Sequence, residues 1–180
     1  VRYNNMQMWR FNTYFGIGKV HYAHLKGITE KQKLKLAGVG VNAVRVLMLK
    51  GFMKNKNGKN VFSPFVKKLF NGLGNPKFVG FVNDDGYPAV VPAVQTQAVG
   101  RDRVVFTASP YKSLFDGLKK GARVAVMAIS MEMESALVKG TFSGFKNGIG
   151  YVDVDRVYNS MPPISGYSYP KEDYKEVVKF

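Results

Sequence analysis

Lys77-Phe-Val-Gly-Phe-Val-Asn83, Asp84-Asp85-Gly86 and Tyr87-Pro-Ala-Val-Val-Pro-Ala-Val-Gln-Thr96 read in succession as strand, turn and strand. An Asp-Gly turn between two β-rich runs is the local chemistry of a hairpin. Pro88 and Pro92 cannot donate to a ladder, so one side of the second strand is expected at a sheet edge or against something other than a strand, a bound planar ring being one candidate. Gly100-Arg-Asp102 then turns the chain into Arg103-Val-Val-Phe-Thr107. The spacing of Leu114, Phe115 and Leu118 predicts a helix from about Lys112 to Lys120. Two further strands follow, Ala122–Ser130 and Ser135–Phe142.

Between the third strand and the expected helix lies Thr107-Ala-Ser-Pro-Tyr-Lys-Ser113. Small hydroxyls and a lysine where a strand gives way to a helix suit a phosphate. Backbone N–H groups and the positive end of the helix dipole favour an anion there, and Ser109, Lys112 and Ser113 add donors and a charge.

This order of Asp-Gly hairpin, Phe-Thr strand, Ser/Lys segment and Arg-Val-Ala-Val strand resembles the FMN-binding split-barrel family related to pyridoxamine 5′-phosphate oxidase, over roughly residues 61 to 165. The resemblance implies a mainly β split barrel with peripheral helices, binding FMN at the interface of a homodimer. It implies that Val91, Pro92, Ala93 and Val94 lie beside the isoalloxazine. Phe106-Thr107 is similar to the family's aromatic-Thr pair, Ser109, Lys112 and Ser113 resemble its phosphate clamp, and Ala108 falls between them. The oxidase proper carries an arginine near the position of Val91. Its absence leaves phosphate binding to Lys112 and the hydroxyls and argues against vitamin B6 oxidation. Redox chemistry at a flavin needs no side-chain nucleophile, so no catalytic residue is assigned. The competing class is a module that holds flavin, deazaflavin or haem without turnover, or that attaches to a membrane surface.

The 180 residues, 46% of them hydrophobic, suffice for one folded domain with an appended segment. The absence of cysteine excludes disulfides, thiolate nucleophiles and cysteine-ligated metals. No signal peptide or membrane-spanning run is visible, and a cytoplasmic protein is expected. The net charge of +15 is uneven: residues 1–77 hold fifteen Lys/Arg against Glu30 alone, while residues 78–180 hold twelve against eleven acids. We therefore expect a basic, partly helical N-terminal extension over 1–60 and the FMN-binding barrel over 61–180. Besides solvation, the basic excess suits an anionic membrane surface through residues 1–77. Nucleic acid is disfavoured, because no recognisable binding motif accompanies the charge.

Within the extension, Thr29 is a fair N-cap for a helix reaching Leu36, and the apolar run Leu36–Leu49, interrupted by Asn42 and Arg45, reads as partly buried. Ser63-Pro64 opens a short helix to Phe70. Gly38-Val-Gly-Val-Asn-Ala43 fits the outline of a dinucleotide loop but follows no buried strand and precedes no ribose-binding acid. His21 and His24 are too few to close a zinc site. No G-x-S-x-G elbow supports a serine hydrolase. Tyr158 and Met161 are candidates, by location, for the segment that covers a partner's flavin.

Overall fold

In the computed structural model, which describes Tyr22, His24 and residues 36–55, 58–109, 111–132, 134–159 and 166–171, the expected hairpin forms. Strand β1 (Lys77–Val82) runs antiparallel to β2 (Pro88–Pro92). Gly86 takes φ +80°, and the Asp85 carboxylate accepts from Tyr87 N at 3.0 Å, so the turn is closed by its own residues. The other strands among the described residues are β3 (Gln97–Val99), β4 (Arg103–Thr107), β5 (Arg123–Ile129), β6 (Ser135–Lys146), β7 (Ile149–Asn159) and β8 (Gly166–Tyr169). Their order across the sheet is β2-β1-β5-β6-β7-β4-β3, with β8 on β7. The two prolines thus sit on an edge strand, where a missing N–H breaks no interior ladder.

The long hairpin β6–β7 is the spine. Along one side of β7, Ile149–Asp153 pairs with β4 and Val157–Asn159 with β8, while β5 lies along the first part of β6. Strict alternation decides what is inside: Val124, Val126 and Ala128 of β5 and Ala136, Val138 and Phe142 of β6 enter the main core. β2 and β3 are opposite edges of the sheet, yet they are consecutive in the chain, joined through Ala93–Thr96. Polar side chains hold this corner. Gln95 Nε2 donates to Thr107 O at 2.9 Å and Thr107 Oγ1 at 2.8 Å, and Lys77 Nζ donates to Val94 O at 3.1 Å and to Gly72 O.

Lys77 is fully buried, and burial pushes its ammonium down from 10.5 to about 8. Between those pH values the unfolded chain holds the proton and the folded chain does not, so Lys77 makes stability rise with pH across that window and fall to its floor below about pH 8. Urea midpoints measured at neutral and alkaline pH should show this rise, by at most roughly 1.4 kcal/mol per pH unit. Lys77→Met should lose the rise and, leaving the Gly72 and Val94 carbonyls without this donor, be less stable by about 1–3 kcal/mol at neutral pH.

Among the described residues, two α-helices lie outside the sheet. α1 (Leu36–Leu49) continues into a 3₁₀ turn at Lys50–Met53. Val46 and Met53 pack with Val99, Val105 and Ile149 in a second, smaller core. α2 (Pro64–Asn71) starts on Ser63, whose Oγ accepts from Val66 N, and ends where Asn71 Oδ1 accepts from Ala98 N of the β3 edge. One expectation fails. The helix read over Lys112–Lys120 is a single 3₁₀ turn, Lys112–Phe115, followed by turns. Gly117 approaches Asn83 so closely that a Cβ would stand 2.7 Å from its Oδ1, and Phe115 and Leu118 are buried from this irregular segment instead of from a helix face. Thr29, His21 and Met161 lie outside the described residues.

Candidate functional site

The segment after β4 is shaped by Thr107, whose Oγ1 accepts from Gln95 and donates to Ser109 O at 3.0 Å. Thr107 is itself buried, so it fixes the turn and presents nothing to solvent. Across from it, the β6–β7 hairpin turns through Asn147 (φ 50°) and Gly148 (φ 74°), a two-residue loop with both residues left-handed, for which Asn-Gly is the favoured pair. Two bonds pin that loop: Ala108 N donates to Gly148 O at 3.1 Å, and Arg45 Nη2 of α1 donates to Asn147 O at 2.7 Å.

These three segments surround a cavity of about 590 Å³. Ala108, Ser109 and Lys112 line one side, with Phe115, Asp116 and Leu118 following them in the chain; Phe145 and Gly148 come from the hairpin and Arg45 from α1. Phe145 is 41% exposed, and its ring is held edge-on by Phe142 (4.9 Å), Phe106 (5.8 Å) and Phe115 (6.1 Å). The cavity therefore has an aromatic wall with limited freedom to move, two cationic side chains from segments far apart in sequence, a hydroxyl, and one opposing carboxylate. Its size falls within the few hundred to about 1,000 Å³ of small-molecule sites.

Of the positions the sequence singled out, Ala108, Ser109 and Lys112 line this cavity, and Phe106 lies behind it against Phe115 and Phe145. Ser113 is exposed beside them, and its carbonyl accepts from Asp116 N. Val91, Pro92, Ala93 and Val94 are not among its lining residues. Val91 and Ala93 are buried in the main core, whereas Pro92 and Val94 are half-buried. Tyr158 is half-buried at the far end of β7, edge-on to Tyr167 at 5.5 Å. Without a regular helix after Ser109, no helix dipole contributes to anion binding, and that burden falls on side chains. Sequence reading missed Arg45 and Phe145. The Asn147-Gly148 pair was a readable signal for the hairpin that carries Phe145, whereas nothing local marked Arg45. Among the described residues no cluster of His, Cys, Asp and Glu is arranged to hold a metal.

No protein-family profile matches the chain, and no curated protein matches it. Among solved structures, HupZ of Group A Streptococcus is similar, with a TM-score of 0.50 and 13% identity, over 58% of this chain and 98% of that one. A protein of Lactobacillus delbrueckii provisionally assigned as a pyridoxamine 5′-phosphate oxidase gives a TM-score of 0.45 at 16% identity, over 58% of this chain and 98% of its own. At such identity the likeness is one of fold, and the fold is the split barrel, mostly antiparallel sheet with two α-helices among the described residues.

Proposed function

We propose that the chain is an FMN-binding flavoprotein that works as a homodimeric oxidoreductase of the pyridoxamine 5′-phosphate oxidase-like kind. The observation that carries this reading is the convergence of Lys112 and Arg45 on a cavity walled by Phe145, Phe115 and Leu118. An amphipathic ligand with an anionic end and a flat apolar end fits that division. Lys112, Arg45 and the Ser109 hydroxyl would take the phosphate, and the phenylalanines and Leu118 the ring. FMN, when bound, supplies the redox chemistry, accepting and returning electrons or a hydride. The chain's own work is placement: Gln95 and Thr107 hold the Ser109 turn, Arg45 and Ala108 hold the hairpin loop, and Phe106, Phe115 and Phe142 hold the Phe145 ring.

The phosphate end makes the reading testable. FMN should bind at least about tenfold to a hundredfold more tightly than riboflavin, since a single charge-assisted bond is worth about 1.5–3 kcal/mol. Equal affinities for the two in a fluorescence titration would mean that the cations do not grip a phosphate. Sedimentation of flavin-loaded protein as a monomer would remove the homodimer from the proposal.

A further inference from the structure

Helix α1 exposes the apolar residues that a soluble helix ordinarily buries. Asn42 and Val46 are buried, while Val41, Val44 and Met48 are 72%, 51% and 75% exposed, and Phe52 in the following turn is 92% exposed. Steps of three and four residues place Val41, Val44 and Met48 in one stripe on the side away from Val46, and Phe52 adds an exposed ring from the 3₁₀ turn that follows. The charge around the stripe has one sign. From Lys31 to Asn83 the sequence contains eleven Lys/Arg and no Asp or Glu. Lys50, directly after α1, has its ammonium held below the usual range first by burial and then by the charge of Lys67, a crowding of like charges. Lys54, Lys59 and Lys68 are exposed in the same acid-free stretch.

We propose that α1 docks the protein on an anionic lipid surface, with the stripe entering the boundary between headgroups and acyl chains and the lysines meeting acidic headgroups. This places on one helix face the attraction expected from charge alone; the stripe residues do not line the cofactor cavity, which the same helix reaches only through Arg45. A second copy of the chain fits less well. A symmetric pairing of α1 faces would bring two acid-free, lysine-rich stretches together with nothing to neutralise them. No helix among the described residues is long and apolar enough to cross a membrane, which suits contact in the interface plane.

The test uses the whole chain and co-sedimentation with vesicles of phosphatidylcholine alone or mixed with phosphatidylglycerol. Binding is expected only to the mixture, falling steeply with added salt. Met48→Glu/Phe52→Glu, which alters exposed positions and should melt like the wild type, is expected to weaken it about tenfold or more. Lys50→Gln/Lys67→Gln should flatten the salt dependence while keeping the stripe. The proposal is overturned if wild-type protein ignores the mixed vesicles at low salt, or if the Glu variant binds them unchanged. It is equally overturned if sedimentation shows that the same variant dissociates a dimer.

Discussion

Gly140→Ala is expected to destabilise the protein by about 3 kcal/mol or more, or to prevent folding, because the added methyl has nowhere to go. Gly140 sits at a register shift between β6 and β7, where Lys139 pairs with Arg156 and Gly140 with Val154. A Cβ there would collide with the Asp153 carbonyl oxygen and stand 2.8 Å from its carbon and 2.9 Å from Val154 Cα. All three atoms are backbone of the spine, so no rotamer change relieves the clash. Gly80→Ala is the matched control: it makes the same chemical change in a strand, but its Cβ would meet Ala125 O at 3.7 Å and Ala89 O at 3.8 Å, ordinary contacts. Chemical denaturation of both variants should show a large loss for Gly140→Ala and less than about 1 kcal/mol for Gly80→Ala.

The second large effect concerns the cavity's charges. Lys112→Ala should weaken FMN binding about tenfold to a hundredfold, and Lys54→Ala, which removes an exposed lysine outside the cavity lining, should leave it nearly unchanged. Arg45→Gln keeps an amide donor for Asn147 O but removes the charge, and combined with Lys112→Ala it should reduce affinity further than either change alone. Asp116→Asn should act in the opposite direction, because Asp116 is the carboxylate lining the same cavity. The signs make this a test of electrostatics and not of folding: two variants weaken binding, one strengthens it, and the thermal stability of the three should differ little. Equal FMN affinities for the Lys112, Lys54 and wild-type proteins would place the phosphate elsewhere.

What the sequence revealed followed the range of the interactions. The Asp84-Asp85-Gly86 hairpin, the edge character of a strand bearing Pro88 and Pro92, and the Ser63-Pro64 helix start were legible because each is written in a few adjacent residues. The alternation in β5 and β6 was legible for the same reason. The segment after Ser109 misled because Leu114, Phe115 and Leu118 satisfy helical spacing, while the contact of Gly117 with Asn83, in another part of the chain, favours turns. Arg45 was illegible as a site residue, since its partner Asn147 lies 102 positions away and joins it only once α1 packs on the barrel. The charge step suggested an appendage over residues 1–60, yet Val46 and Met53 of that stretch share a core with Val99, Val105 and Ile149. Composition records charge and not packing. Lys77 and Gln95 were likewise unreadable as interior residues, because their burial depends on carbonyls that only the folded corner brings within reach.

Whether this barrel holds a flavin in the cavity behind Lys112 is decided by the visible absorption spectrum of the full chain after incubation with FMN and removal of the free cofactor. Retained flavin bands at one equivalent per chain are expected, with the flavin fluorescence altered on binding. A colourless protein that retains no FMN, or one that shows a sharp haem Soret band in its place, would contradict it.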